Sequence, residues 1–231
     1  MSTPAVLVED VAFSYRAGRE ILRIPGFQIE RGEHVFLFGS SGSGKTTLLG
    51  LIAGVLRVTR GRLRVLDRDF TKLSNHERDS LRGSHMGYIF QLFNLITYLN
   101  VIDNITLPCR LHRARRMRLD GRDLKSAATQ VASHLGIETL LAEEVSSLSV
   151  GQQQRVAAAR ALLGSPELVI ADEPTSSLDV DHRERFIRLL FHSCRQAGST
   201  LIFVSHDHGL APLFDRTVSL AEINAAPVAG S

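Results

Sequence analysis

The sequence has no tryptophan, only two cysteines and no long hydrophobic run. Cys109 and Cys194 are too few for a disulfide framework, and such low cysteine use is typical of a reducing compartment. The longest apolar runs, such as 35–38 and 201–204, are far shorter than the roughly 18 residues that a membrane span needs. The amino terminus lacks a basic start followed by an apolar run, so no signal peptide is predicted. These absences predict a cytosolic location, and they leave open a peripheral place at a membrane through a partner that supplies the span.

Charge of one sign is also scarce, because 27 Lys and Arg against 24 Asp and Glu leave a net charge of +3. This excess is too small to indicate nucleic-acid binding on its own. Hydrophobic residues make up 44% and charged residues 22% of the chain, which excludes a disordered or fibrous protein. A length of 231 residues suits one domain of ordinary size, or one domain with a lobe attached.

Strand signals are strongest in the first part of the chain. Short β-rich runs at 6–8, 11–13 and 27–29 precede the continuous apolar run 34–38, which is typical of a strand buried on both faces. A helix is predicted over 46–53. The pattern then predicts a strand at 62–66 and a short helix at 73–82.

The middle of the chain changes character between about 92 and 163, where strand signals thin out. Helices are predicted there over 124–135 and 152–163. Strands return at 168–171 and 201–204, with a helix at 183–195 between them. Alternating strands and helices predict an α/β fold with a mostly parallel sheet and right-handed crossovers, into which the helical stretch is inserted.

A glycine-rich loop follows the buried strand at 34–38 and fits the pattern G-x-x-x-x-G-K-[ST]. Backbone N–H groups of such a loop wrap phosphates, and the following helix N-terminus adds partial positive charge. Lys45 can reach the β- and γ-phosphates, and the Thr46 hydroxyl can bind Mg²⁺. The alternative is an ordinary Gly/Ser turn. The predicted ATP-binding residues here are Gly39, Ser40, Ser41, Gly42, Ser43, Gly44, Lys45, Thr46 and Thr47.

An acidic pair, Asp172 and Glu173, ends the apolar run 168–171 and is followed by Pro174. Ligands of open α/β sheets bind at the carboxyl ends of the strands. Asp172 would hold Mg²⁺ directly or through water, and Glu173 would polarise the attacking water. The alternative is an acidic turn after a core strand.

The glycine-rich loop at 39–46 is called the phosphate loop below. A third motif distinguishes among classes of protein with such a loop, and its members are Leu148, Ser149, Val150, Gly151 and Gln152. It resembles the L-S-G-G-Q signature of ATP-binding cassette (ABC) ATPases, with Val150 at the first glycine. Ser149 and the Gly151 amide can meet a γ-phosphate, and we expect Val150 to be tolerated. Read alone, the segment also fits an ordinary N-capped helix.

Four further elements follow the order of the same family, although each alone would be an ordinary structural residue. The resemblance implies that the Tyr15 ring stacks on adenine and that Gln91 contacts Mg²⁺ and water. It implies that His206 contacts the γ-phosphate. It also implies a loop that crosses to a second subunit, formed by Ser177, Leu178 and Asp179.

The resemblance covers nearly the whole chain and implies a single ABC ATPase domain over 1–231. Its phosphate-loop NTPase core, with an N-terminal antiparallel β subdomain, would occupy 1–91 and 164–231, and the inserted helical subdomain 92–163. Two copies would sandwich ATP and Mg²⁺ head to tail, each phosphate loop facing the other copy's signature. The residues at 81–82, 87–91, 93–95, 104 and 107–108 resemble those of the lipoprotein-release and macrolide-export subgroup.

That subgroup implies an ATP-hydrolysing subunit that powers export or extraction through separate membrane permease subunits. The protein would then be cytoplasmic and peripheral on the inner membrane, without insertion of its own and without a nucleic-acid partner. One alternative is a cell-division type of membrane transducer, and another is a soluble ABC ATPase acting on nucleic acid or the ribosome. A non-hydrolysing regulator and a small-molecule kinase fit less well. The basic stretch 110–118 is either a solvated helical face or a surface for anionic partners.

Overall fold

A computed structural model describes residues 3–15, 19–119, 121–176 and 180–226. The elements follow one another as β1 (Val6–Phe13), β2 (Leu22–Ile29), β3 (His34–Phe38), α1 (Lys45–Ile52), β4 (Arg60–Val65), β5 (Arg68–Asp69), α2 (Asn75–His85), β6 (Met86–Ile89), α3 (Val101–Leu111), α4 (Arg113–Met117), α5 (Leu124–His134), α6 (Val150–Leu162), β7 (Leu168–Asp172), α7 (Val180–Gln196), β8 (Thr200–Val204), β9 (Arg216–Ser219) and α8 (Leu220–Ile223). Short 3-10 helices lie at Glu138–Leu140, Val145–Ser147 and His208–Leu213.

The chain divides into two units, one formed by Met1–Arg82 with Ile202–Ser231 and the other by Gly83–Leu201. The predicted subdomain boundaries at 91–92 and 163–164 remain a prediction.

An antiparallel sheet in the first unit has the strand order β2-β1-β4-β5. The β-rich runs predicted at 6–8 and 11–13 form one strand, β1, whose pairing with β4 is irregular between Glu9 and Ala12. At this irregularity Gly61 adopts φ +88, and a Cβ there would lie 2.2 Å from the Asp10 carbonyl oxygen. Only glycine allows the two strands to approach this closely.

The first unit also contains a parallel strand pair. Strand β3 pairs with β9, with Val35 opposite Arg216 and Phe38 opposite Ser219. The rings of Phe36, Phe203 and Phe214 pack together with centroids 5.2–6.5 Å apart, and the side chains of β3 are buried up to Leu37. Burial of this apolar run anchors β3, and β3 delivers the chain to the glycine-rich loop.

The second unit joins a parallel strand pair to a group of helices. Strand β6 pairs with β7, with Met86 opposite Leu168 and Ile89 opposite Ala171. Helix α6 contacts β6, α3, α5 and α7. Small buried alanines, four of them between 157 and 161 of α6, allow this close helix packing. Within the described residues, no helix is both long and apolar enough to cross a bilayer.

The basic stretch 110–118 is not a uniformly solvated helical face. The chain changes direction at His112, which ends α3 and precedes the short α4. Arg113 and Arg116 are exposed, whereas Arg115 is buried. The expectation of a solvated face is therefore wrong at Arg115, because this side chain points into the second unit and donates to backbone carbonyls.

Candidate functional site

The glycine-rich loop joins the end of β3 at Phe38 to the start of α1 at Lys45. Gly42 adopts φ +75 and Gly44 adopts φ +104, a region that residues with a Cβ rarely enter. Among the described residues no side chain caps the N-terminus of α1, and the first turn of this helix contains no acidic residue. The N–H groups of this turn therefore remain available to an anion.

Two polar side chains line the same loop. The Lys45 ammonium donates to the carbonyl oxygens of Gly39 and Ser40, at 2.8 and 3.0 Å, so the side chain folds back across the loop. The Ser43 hydroxyl is buried and has no hydrogen-bond partner within the described residues. A positive charge, this hydroxyl and the N-terminal amides of α1 together could hold a phosphate group.

Tyr15 presents its ring to solvent in the same unit, with 62% of the residue exposed. The ring packs edge-on against Phe13, with centroids 4.9 Å apart. Its hydroxyl lies 3.2 Å from the Thr47 hydroxyl oxygen in α1. The structure thus fixes one end of an exposed aromatic ring beside the helix that follows the phosphate loop, as a stacking surface for a base requires.

His206 follows β8 and is exposed. The preceding Ser205 N–H donates to the carbonyl oxygen of Leu37 at 3.4 Å, and the Ser205 hydroxyl accepts from the Asp207 N–H at 3.1 Å. Leu37 lies two residues before the glycine-rich loop. The first unit therefore holds the histidine segment next to the strand that enters the loop.

Asp172 is the last residue of β7, in the second unit, and is partly exposed. Its negative charge acts on Tyr88, in the neighbouring strand β6. Burial, reinforced by this charge, raises the pKa of the Tyr88 phenol. The phenol is therefore neutral throughout the physiological pH range and adds no second negative charge near Asp172.

Glu173 adopts φ +50, a left-handed conformation that is uncommon for a residue with a Cβ. Such strained backbone persists where the surrounding structure imposes it, and it clusters at functional sites. The restraint comes in part from α6, because the buried Gln154 amide donates to the Pro174 carbonyl oxygen at 2.7 Å. The partly exposed Glu173 carboxyl is therefore carried by a backbone segment that is tied to α6.

The signature segment forms the N-terminus of α6. Ser149 is the N-cap, and its hydroxyl accepts from the Gln152 N–H at 3.4 Å. The Gln152 side chain accepts from the Ser149 N–H at 2.8 Å, which completes a capping box. The helix starts at Val150, two residues before the predicted start. Val150 is 47% exposed and has no positive φ, so its side chain fits this position without strain.

Gln91 is exposed and lies just after β6. Two large apolar side chains in the segment that follows, Leu92 and Tyr98, are 84% and 86% exposed. The base of the segment is held from inside by Asn104, which accepts from the Ile96 N–H at 2.8 Å and donates to the Ile96 carbonyl oxygen at 3.0 Å. Arg160 donates to the carbonyl oxygens of Phe93 and Asn94.

The first unit thus carries Tyr15, the phosphate loop and His206, and the second carries Gln91, the signature, Asp172 and Glu173. Ser177, Leu178 and Asp179 lie outside the described residues. The sequence alone indicated no role for three buried or partly buried residues that hold these segments, namely Arg115, Gln154 and Arg160. For Arg115 and Arg160 only their position in a helical pattern could have signalled burial, because an arginine is usually exposed.

Comparison with known proteins identifies the family that the chain resembles. The family model described as ABC transporter matches residues 22–176. A lipoprotein-releasing system ATP-binding protein LolD of Syntrophotalea carbinolica is 35% identical, over 96% of this chain and 98% of that protein. A macrolide export ATP-binding/permease protein MacB of Syntrophobacter fumaroxidans is 34% identical, over 97% of this chain but 31% of that protein.

Solved structures show the same architecture. A dimeric post-hydrolysis state of the ATP-binding cassette MJ0796 bound to ADP and Pi has a TM-score of 0.81 at 30% identity and covers 93% of both chains. The cassette cbiO1 of Clostridium perfringens, part of the transporter complex cbiONQ, has a TM-score of 0.81 at 26% identity and covers 94% of this chain and 85% of its own. The predicted α/β fold class is confirmed.

Proposed function

The chain belongs to the ABC transporter family of ATP-binding cassettes, and from this premise we propose that it binds and hydrolyses ATP to power separate membrane subunits. The glycine-rich loop supports this proposal, because it carries the Lys45 ammonium, leads into a helix N-terminus that no described side chain caps, and contains a buried Ser43 hydroxyl without a hydrogen-bond partner among the described residues. Tyr15 adds an exposed ring for the adenine base. Contacts with triphosphate and base together would select a nucleotide over a simple anion.

We assign the magnesium ligands to the Thr46 hydroxyl, the Asp172 carboxylate and the Gln91 amide oxygen. All three are oxygen donors, which Mg²⁺ prefers. Within the described ranges no group of three or more His, Cys, Asp or Glu side chains could hold a metal alone. The ion would therefore bind together with nucleotide phosphates and water, as is usual for Mg²⁺ in nucleotide sites. When bound, it would supply positive charge at the β- and γ-phosphates.

Hydrolysis places an oxygen of water on the γ-phosphorus while the bond to the β–γ bridging oxygen breaks, giving ADP and phosphate. The transition state is loose, so orientation of the water and charge stabilisation carry most of the rate. Glu173 and Gln91 would orient the water, and the Glu173 carboxylate would accept its proton. Lys45 and His206 would stabilise charge on the phosphoryl oxygens.

We propose that the working unit contains two copies of the chain. Each copy has one phosphate loop and one signature segment, Leu148–Gln152, and the two would meet across a head-to-tail interface. There Ser149 and the Gly151 amide of one copy would contact the γ-phosphate held by the other. The dimeric cassettes among the similar structures support this arrangement. Ser177, Leu178 and Asp179 would lie at the same interface.

We propose integral membrane permease subunits as the second kind of partner, which would hold the protein at the inner face of the membrane. The exposed Leu92 and Tyr98, on a segment anchored by Asn104, offer them an apolar docking surface. The relatives named for lipoprotein release and macrolide export favour export or extraction. The relative named for macrolide export is an ATP-binding/permease protein, and this chain matches 31% of its length.

The test separates ATP chemistry from transport. The purified protein should hydrolyse ATP in the presence of Mg²⁺, Lys45→Ala should lose nucleotide binding, and Glu173→Gln should bind ATP but turn over about 10²–10⁴-fold more slowly. A pull-down from native membranes with the Glu173→Gln variant and ATP should then recover an integral membrane protein. Recovery of only ribosomes, DNA or soluble proteins would overturn the transport proposal. Wild-type turnover in Glu173→Gln would overturn the role of Glu173.

A further inference from the structure

Arg115 is a buried arginine in a basic stretch that the proposed chemistry does not use. Only 2% of the residue is exposed. Its guanidinium donates to the carbonyl oxygens of Leu163 and Met86, each at 2.7 Å, and also to those of Ala161 and Arg160. Burial lowers the pKa of Arg115 to about 10, so the group remains charged at neutral pH. Among the described residues, its hydrogen-bond partners are backbone carbonyls.

Three of these carbonyls belong to the C-terminal end of α6, where a helix leaves its last carbonyl oxygens without intrahelical partners. A positive charge at this end is also favoured by the helix dipole. The fourth carbonyl, from Met86, belongs to the first residue of β6. One planar side chain therefore ties the end of α6 to the strand that leads to Gln91.

The surrounding backbone is shaped to admit this side chain. A Cβ at Gly164 would lie 2.7 Å from the Arg115 Cγ, and Gly164 adopts φ +77. A Cβ at Gly87 would lie 2.3 Å from the Ala161 carbonyl oxygen, one of the four acceptors. Close packing without side chains at both glycines leaves α6, β6 and the guanidinium in contact.

We propose that Arg115 is a positioning residue for ATP hydrolysis: by clamping the C-terminal end of α6, it sets where the other end of that helix presents Ser149. The proposal rests on the function proposed above. In that proposed function Arg115 contacts neither the nucleotide nor the attacking water, and it acts through α6.

The length of α6 explains why its far end matters. Thirteen residues give a helix of about 20 Å at 1.5 Å per residue. A tilt of about 5° at the clamped end would move Ser149 by about 1.7 Å over that length. A misplacement of about 1 Å can cost a catalytic site about 100-fold in rate. Small motions at Arg115 are therefore enough to affect turnover.

A second tie limits the expected effect. Arg160, on α6 itself, donates to Phe93 and Asn94 at 2.6 and 2.7 Å. Loss of Arg115 would leave this tie in place, so α6 would be loosened rather than released. Nucleotide contacts in the first unit, from Lys45 and Tyr15, do not involve Arg115.

The experiment compares Arg115→Met with Arg78→Met, a matched loss of a buried arginine in the first unit. Arg78 is 4% exposed and donates to the Leu73 carbonyl at 2.9 Å and to the Asn75 side chain. Arg115→Met should lower kcat by about 10- to 100-fold and leave the Kd of monomeric protein for ATP within about twofold. Arg78→Met, measured at a temperature where it is fully folded, should keep its kcat.

Equal loss of kcat in the two folded variants, or wild-type kcat in Arg115→Met, would overturn the proposal. If Arg115→Met does not fold, Arg115→Lys replaces it, because lysine keeps the charge but lacks the planar fork that reaches four carbonyls. Its kcat should fall by about 3- to 10-fold. Absence of hydrolysis in the unmutated protein would instead refute the proposed function.

A direct readout of helix position accompanies the kinetics. Spin labels at Val150→Cys and Gln196→Cys, at the start of α6 and the end of α7, report the distance between two elements of the second unit. Both native cysteines are buried and should not be labelled. The distance distribution should broaden or shift in Arg115→Met or Arg115→Lys and stay unchanged in Arg78→Met. An unchanged distribution in a folded Arg115 variant would overturn the proposal.

Discussion

The contact between β6 and α6 at Gly87 makes a sharp prediction about stability and turnover. Gly87 is buried in β6, and an added methyl group would lie 2.3 Å from the Ala161 carbonyl oxygen and 2.9 Å from its carbonyl carbon. Real Cβ atoms essentially never come within 3.0 Å of a heavy atom, so β6 and α6 must separate by at least about 0.7 Å. The neighbours are backbone atoms and cannot move aside by a rotamer change.

Overpacking of this kind costs about 1–3 kcal/mol. For a chain of this length, a loss of about 2 kcal/mol lowers Tm by about 4–8 °C. The same displacement moves the acceptors of Arg115 and the start of the segment that carries Gln91. Gly87→Ala should therefore lower both Tm and kcat.

Gly26→Ala is the matched control, because Gly26 lies in β2 and has no positive φ. Apart from Gly26 and its two chain neighbours, no described residue has a heavy atom within 4 Å of the point where the added methyl group would lie. It should change the free energy of unfolding by less than about 0.5 kcal/mol. Urea denaturation and calorimetry measure the stability of both variants, and steady-state hydrolysis measures kcat. Equal stability of Gly87→Ala and Gly26→Ala would refute the packing argument at β6 and α6.

Three further predictions concern single side chains. Tyr15→Ala should weaken ATP binding by about 1–3 kcal/mol, whereas Tyr15→Phe should retain most of the binding free energy, as titration calorimetry can measure. Equal ATP affinity of Tyr15→Ala and the unmutated protein would exclude stacking. Val150→Gly should leave kcat within about twofold, because the helical Val150 is not strained, and a tenfold gain would contradict this. Burial raises the pKa of Cys194 from 9.0 to about 12. The contribution of this buried thiol to the free energy of unfolding should therefore be fully present below about pH 9 and decline as pH rises toward 12. Denaturation from pH 7 to 11 checks this, and a Cys194→Ala variant with the same pH dependence would refute it.

The core elements could be predicted because their apolar patterns are continuous and bounded by turn residues. Strand β3 occurs where the run 34–38 placed it. Helix α5 and strand β7 differ from the predictions by one residue at one end, and α1 differs by one residue at each end. The two runs of β1 could not be joined from the pattern, because the irregularity between Glu9 and Ala12 depends on a close approach to Gly61 of another strand.

The internal supports of the site could not be predicted, since they are long-range contacts by polar side chains. Gln154 reaches Pro174 across 20 positions, and Arg160 reaches Phe93 across 67. In sequence each looks like a polar residue on a solvated helix face. Only the packing of α6 against its neighbours turns them inward, where the cost of burial is offset by hydrogen bonds to carbonyls.

The central claim is that two copies of this chain close around ATP, and sedimentation of Glu173→Gln tests it most directly. With ATP and Mg²⁺ the variant should sediment as a dimer of about twice the 25.4 kDa monomer mass, and with ADP as a monomer. The double variant Glu173→Gln with Lys45→Ala should not dimerise, because its phosphate loop would no longer hold the nucleotide. A protein that binds ATP but stays monomeric in Glu173→Gln, or dimerises equally with ADP, would contradict the account.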